Sequence, residues 1–196
     1  MITATVRLKG VSPYGQSRNY AMDVPKNDKE RADDYEKRTW QNRLHVVKGG
    51  PSDGHIFIPP QAFKNCLSEA AKYLSMQVPG KGKSTFTRFF EAGVLVDPEP
   101  IVLPDLAADV ASIWLYVPSD GKRGGSKRVW KCFPIINAWE VDVTFHVLDE
   151  TITEEIFLKH IQEAGRFIGI GFFRPRNNGY YGRFSVEDLK WVKSDD

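Results

Sequence analysis

One run of alternating residues constrains this chain more than any other. Trp139, Val141, Val143, Phe145 and Val147 alternate with Glu140, Asp142, Thr144 and His146. A period of two with apolar and polar faces reads as a β-strand with one side on a core and the other facing solvent. A helix pattern follows at once. Thr151-x-x-Glu154 fits a capping box, and Phe157, Ile161, Ala164 and Ile168 line one helical face, widened by Ile156 and Leu158. A half-buried strand leading into an amphipathic helix must bury both apolar faces together, which requires a layered α and β core.

The rest of the chain supplies matching pieces. Ile2, Ala4, Val6 and Leu8 alternate with Thr3, Thr5, Arg7 and Lys9, giving a first strand, and Gly10 to Gly15 reads as a turn. His55 to Pro60 is extended, since a residue before proline avoids the helical region. Pro60 suits a first helical turn, and Phe63, Cys66, Leu67, Ala70, Ala71 and Leu74 mark one face of the helix it opens. Ile113, Leu115 and Val117 alternate with Trp114 and Tyr116 as a further strand, and Phe184 to Val192 closes the pattern. The order strand, helix, strand, strand, helix, strand predicts an α+β, ferredoxin-like (RRM-like) βαββαβ core. It is one domain over residues 1–196, with large insertions after the first strand and the first helix, at about 16–54 and 77–111.

Residues 16–54 are polar, and Asp28 to Arg38 mixes both signs of charge, which reads as a solvated helix or loop rather than core. Leu44, Val46 and Val47 suit a short strand. In the second insertion, Pro79 to Thr85 holds a Gly-Lys-Ser sequence. A phosphate-cradling nucleotide loop also needs a glycine where Gln77 stands, and a strand before it where a helix is expected. A basic loop is the reading that remains. Phe86 to Leu106 is aromatic and apolar, with short strands packed on the main body.

The formal net charge is only +2, so any anion site must come from local clustering. Cys66 and Cys132 stand alone, without the spacing of a zinc site or a disulfide framework, which fits a reducing cytoplasm. The first residues lack the pattern of a signal peptide, and no apolar run is long enough to span a bilayer. The expectation is a cytoplasmic protein with no membrane partner, no cofactor and no metal.

Local clusters do exist. Gly169 to Phe184 combines Gly169, Gly171, Gly179 and Gly182 with Arg174, Arg176, Arg183, Tyr180 and Tyr181, and holds no acid. Glycine lets backbone approach a ligand, arginine suits phosphate, and aromatic rings stack on bases. Arg166 precedes this stretch. Lys81 and Lys83 form a second basic segment, and Arg123, Lys127 and Arg128 lie in a third, between Pro118 and Lys131. Each cluster also has an ordinary reading as a solvated turn. Together they nominate Lys81, Lys83, Arg123, Lys127, Arg128, Arg166, Gly171, Arg174, Arg176, Tyr180, Tyr181 and Arg183 as RNA-contacting residues.

Three landmarks resemble the RAMP superfamily of CRISPR-associated proteins, which includes the Cas7, Cas5 and Cas6 types. The first strand with Val11-Ser12-Pro13-Tyr14-Gly15 is similar to the opening strand and turn. Ile56 to Asn65 resembles the Tyr-Ile-Pro-Gly-Ser-Ser-Leu-Lys-Gly entry to the first helix. Gly169 to Phe184 resembles the glycine-rich loop before the last strand. Pro60 departs from the family's small glycine, Phe63 and Asn65 replace smaller residues, and the chain is short for a Cas7 backbone subunit. What the resemblance implies is a Cas7-like, RNA-binding subunit of a ribonucleoprotein. Its partners would be guide or other single-stranded RNA, and further subunits or copies of itself.

A solitary phage-borne relative that blocks a CRISPR complex by protein contact, through Phe86, Phe89 and Phe90, is an alternative. So is a Cas6-type endoribonuclease using His45 or His55 as general acid or base. Neither His146, on a strand face, nor His160, on a helix, has a triad motif around it. Asp33-Asp34, Asp53 and Asp149-Glu150 lack metal-ligand spacing. The expectation is binding without catalysis.

Overall fold

In the computed structural model, residues 1–99, 101–103, 110–119, 121, 124–125 and 127–193 are described. The strands are β1 (Ile2–Gly10), β2 (Tyr14–Gly15), β3 (Phe57–Ile58), β4 (Val94–Val96), β5 (Ile101–Val102), β6 (Val110–Pro118), β7 (Arg128–Ile136), β8 (Glu140–Val147) and β9 (Phe184–Lys193). The α-helices are α1 (Ala32–Thr39), α2 (Pro60–Leu74), α3 (Thr87–Gly93) and α4 (Glu154–Glu163). A π-helical turn, Ala164–Ile168, continues α4.

The main sheet has four strands in the order β4-β8-β1-β9. β1 pairs antiparallel with β8 and with β9, and β4 pairs antiparallel with the far side of β8. Counting only these strands with α2 and α4, the chain runs strand, helix, strand, strand, helix, strand, and the first strand sits inside the sheet. That is the ferredoxin-like arrangement.

The helices bury the side of the sheet that the alternation marks. Ala4, Val6, Leu8, Val143 and Phe145 are fully buried, as are Phe63, Cys66 and Ala71 of α2 and Phe157 and Ile161 of α4. Phe157 packs edge-on against Phe145 and tilts against Trp191 of β9. The cap of α4 is Thr153, whose Oγ1 accepts from the Ile156 N–H at 3.4 Å, so the helix starts two residues later than the capping pattern at Thr151 predicts. Thr151 instead donates its N–H to Asp149.

The second core strand is the main departure from expectation. It is the short β4, inside the segment read as an insertion, and not the strand around Ile113. β6 and β7 form a long hairpin of their own, with Trp114 opposite Cys132 and Tyr116 opposite Trp130. β2 joins the other edge of β7, making a separate three-stranded sheet. The alternation around Ile113 belongs to this hairpin, where Val117 is buried and Tyr116 is half exposed. β4 needs only three residues to cover the sheet edge, too few to show a period.

The polar segment at 16–54 also contains core. Gln16, Tyr20, Glu36, Thr39 and Arg43 are buried. Arg43 Nη2 donates to both Glu36 carboxylate oxygens at 2.9 Å, and Arg43 Nε donates to the Cys132 carbonyl at 3.0 Å. The Cys132 N–H donates to Glu36 Oε2 at 3.1 Å. α1 is therefore clipped to β7 by a buried ion pair. Among the described residues no helix is long and apolar enough to cross a membrane.

Candidate nucleic-acid interface

The glycine-rich loop begins where the π turn ends. The Gly169 N–H reaches back five residues to the Ala164 carbonyl at 2.8 Å, and Gly169 takes a positive φ. The loop then lies against the turn after β1. Phe172 N–H donates to the Gly15 carbonyl, Gly182 N–H to Pro13, and Val11 N–H to Arg183. This contact is why glycine is needed on both sides. A Cβ on Gly171, whose φ is +79, would stand 2.4 Å from the Gly15 oxygen, and one on Gly15 would enter the Phe172 ring. Phe173 and Asn178 hold φ values of 46° and 60°, a conformation that bulky L-residues adopt only when their surroundings enforce it.

Across from this loop stands the β6–β7 hairpin, and the two enclose a cleft of about 700 Å³. Phe133 of β7 packs on Phe172 with ring centroids 4.7 Å apart, and Phe173 and Tyr181 each lie 5.4 Å from Phe172. Tyr116, half exposed, closes the hairpin side. Arg128 and Lys131 stand on the rim, and Arg128 Nη1 donates to the Tyr116 carbonyl at 3.2 Å. Asn177 and Asn178 line the loop side, and Arg43 lines the cleft from the direction of its ion pair. The Arg43 guanidinium lies 5.0 Å from the ring centroids of both Tyr20 and Phe133. Aromatic walls with a cationic rim can stack bases and hold a sugar–phosphate strand.

The structure sorts the sequence-nominated residues into groups. Arg128 lines the cleft and Lys127 is exposed beside it, while Arg123 lies outside the described residues. Gly171 shapes the loop. Tyr181 is half-buried in the aromatic cluster, where burial first and then the neighbouring Tyr180 raise its phenol pKa. Tyr180 is 61% exposed and available for stacking. Arg183 Nη1 donates to the Tyr180 carbonyl at 3.4 Å.

Arg174 and Arg176 do not join the cleft rim. Arg174 Nη2 donates to Glu69 of α2 at 2.6 Å and its side chain is 20% exposed, and Arg176 Nε is 3.9 Å from the same carboxylate. A turn over Pro175–Asn177 directs these two arginines to one side and Asn177 to the other. Arg166 is exposed over the Phe167 ring, near Glu163. Lys81 donates to Thr151 Oγ1 near the start of α4, and Lys83 shares its loop. The glycine-rich loop follows the other end of that helical run, about 22 Å away at 1.5 Å per residue. The three basic segments therefore do not form a single grip.

Sequence reading missed Arg43, Phe133, Phe172 and Phe173 as cleft residues. Phe172 and Phe173 lay inside the nominated loop, and their pairing with glycines was the available signal. Arg43 sat among charges that read as solvated.

His45 and His55 flank one antiparallel bridge, between Val46 and Ile56, while His146 is on β8 and His160 on α4. His160 is fully buried, stacked on Phe90 at 4.2 Å, with Nδ1 2.6 Å from the Ile156 carbonyl and Nε2 without a partner. Burial lowers its pKa. His45 tilts on Phe57, and burial, then Arg18, lowers its pKa too. His55 Nδ1 contacts the Ser52 carbonyl. His146 lies on the open face of the main sheet, its Nε2 3.9 Å from Asp97. That face carries Thr3, Thr5, Arg7, Lys9, Glu140, Asp142, Thr144, Asp188 and Lys190. Arg7 forks onto Asp142 with contacts of 3.0 and 3.1 Å. Among the described residues it offers no Phe, Tyr or Trp, so base stacking of the RRM kind has no platform there.

The fold is ferredoxin-like and is similar to that of chains in solved CRISPR proteins. Two solved structures show the likeness. One is a chain of the Type III-B Cmr-β complex bound to cognate target RNA, at a TM-score of 0.53 and 10% identity, covering 98% of this chain and 61% of that one. The other is Cmr6 from Pyrococcus furiosus, at a TM-score of 0.50 and 14% identity, covering 95% of this chain and 98% of that one. The chain thus spans about three-fifths of the length of the first and nearly all of the second. At such identities the likeness is one of fold. No family model matches the sequence, and no curated protein matches it.

Proposed function

We propose that this chain is an RNA-binding, Cas7-like subunit of a CRISPR effector-type ribonucleoprotein that holds single-stranded RNA without cutting it. Other subunits or further copies of the chain are its protein partners. The observation that carries the reading is the cleft, where the glycine-rich loop and the β6–β7 hairpin bring Phe133, Phe172 and Phe173 under the cations Arg128 and Lys131. Its aromatic faces suit splayed bases, and its rim suits a backbone. The two solved relatives in fold come from Cmr systems, and one of them is bound to target RNA. The reading assigns no cleavage step; His160 is core, and His45 and His55 flank one antiparallel bridge between Val46 and Ile56.

The test is binding of labelled single-stranded RNA by fluorescence anisotropy across a salt series, with the wild type and an Arg128→Ala/Lys131→Ala variant. Single-strand binding loses about 0.7 of log–log salt slope per phosphate contact removed. The expected change is a slope shallower by about 1.4, with the RNA recovered intact. An unchanged slope and affinity would overturn the reading.

A further inference from the structure

Arg43 is an unusual cleft residue, because its charge is already balanced. Its side chain is only 10% exposed, and Glu36 takes both contacts from Nη2 while the Cys132 carbonyl takes Nε. Nη1 makes no hydrogen bond among the described residues, although the guanidinium lines the cleft. What remains for a ligand is a pair of oriented N–H donors held between two aromatic rings. A phosphate gains little from a guanidinium that a carboxylate neutralises, and Arg128 and Lys131 offer it better contacts at the rim. A neutral acceptor edge still gains a hydrogen bond from the Nη1 donors that open on the cleft.

We propose that the floor of the cleft is a nucleobase subsite selective for a keto base, guanine foremost. This rests on the RNA-binding reading above and deepens it. Guanine presents the acceptor O6 at this edge, where Nη1 can donate to it. Adenine presents an amino group in place of O6, so a donor would meet the Nη1 donors. Phe172 and the exposed Phe173 give the base a stacking wall, backed by the buried Phe133, and the Asn177 amide faces the same cleft with no side-chain bond among the described residues. The cleft has room for a nucleotide. Uracil, with one keto oxygen at the corresponding edge, ranks second.

The experiment uses the full chain and oligocytidine 12-mers that carry one central guanosine, uridine, adenosine or cytidine, in anisotropy competition at fixed salt. The guanosine oligomer is expected to bind about 5-fold tighter than the adenosine one, the size of one net hydrogen bond. Asn177→Ala, at an exposed position, is expected to reduce that ratio. Arg43→Lys is expected to abolish it, provided its circular dichroism matches the wild type, and Asn177→Ala carries the test if it does not. Equal binding of all four oligomers, with a steep salt slope, overturns the base subsite and leaves RNA binding standing. Absence of binding to any of them overturns both.

Discussion

Glu36→Ala is the perturbation whose cost the structure defines most closely. The Glu36 carboxylate accepts from Arg43 Nη2 through both oxygens at 2.9 Å and from the Cys132 N–H at 3.1 Å. Glu36 and Arg43 side chains are 9% and 10% exposed. An exposed ion pair contributes about 0–1 kcal/mol. Removing one partner of a buried pair costs about 3–5 kcal/mol, because the other charge is stranded. The Cys132 N–H is stranded as well, at about 1–3 kcal/mol if water does not reach it. The Arg43 edge that faces the cleft gains some relief from solvent, so the expected loss is about 4 kcal/mol. That corresponds to a fall in Tm of about 8–16 °C for a chain of this size.

The assay is urea unfolding followed by tryptophan fluorescence, with Glu36→Ala, Arg43→Leu and Glu36→Ala/Arg43→Leu in one cycle. The double variant strands no charge, so it is expected to be at least about 2 kcal/mol more stable than additivity of the two single changes predicts. A single-variant cost below about 1 kcal/mol, or additive costs in the cycle, would show that the pair is effectively solvated and refute the reasoning.

Gly171→Ala forces a side chain onto a φ of +79 and into the Gly15 carbonyl, so a loss of about 2 kcal/mol or more is expected in the same unfolding assay. A cost under about 0.5 kcal/mol would show that the loop contact is soft. His160→Leu removes a buried Nε2 that has no partner, and is expected to leave stability at neutral pH unchanged or raised by up to about 1 kcal/mol. Burial holds the folded His160 pKa below its unfolded value of about 6.5. The unfolded chain therefore takes up a proton that the folded chain refuses, and wild-type stability falls as pH drops below about 6.5. The difference between wild type and His160→Leu should shift against the wild type across that window. A difference independent of pH would contradict a neutral core histidine.

Elements with a clean period were legible in the sequence. β1, β8, α2 and α4 each bury one face along their whole length, so composition and burial agree residue by residue. β4 escaped because its burial comes from pairing with the end of β8, a contact no local pattern records. α1 read as solvent-facing because most of it is. The buried Glu36 is satisfied by Arg43 and by a backbone group 96 positions away, which only the folded chain brings close. The candidate site was legible in the same partial way. The glycine-rich loop announced itself through residue types that need close approach. The direction of Arg174 was hidden, since Glu69, its partner, lies 105 positions upstream on α2.

The loop's attachment has a consequence for how binding would proceed. Its backbone amides at Phe172 and Gly182 are spent on the turn after β1, and its ends continue directly into α4 and β9. It cannot open without breaking its backbone bonds to the turn that follows β1. Local opening there should track global unfolding, and the Gly182 amide should exchange with solvent hydrogen almost as slowly as amides of β1. A strand of RNA would then meet a surface that is already shaped. Little ordering entropy is spent on docking, and differences in affinity among sequences would show in the rate of release rather than the rate of capture.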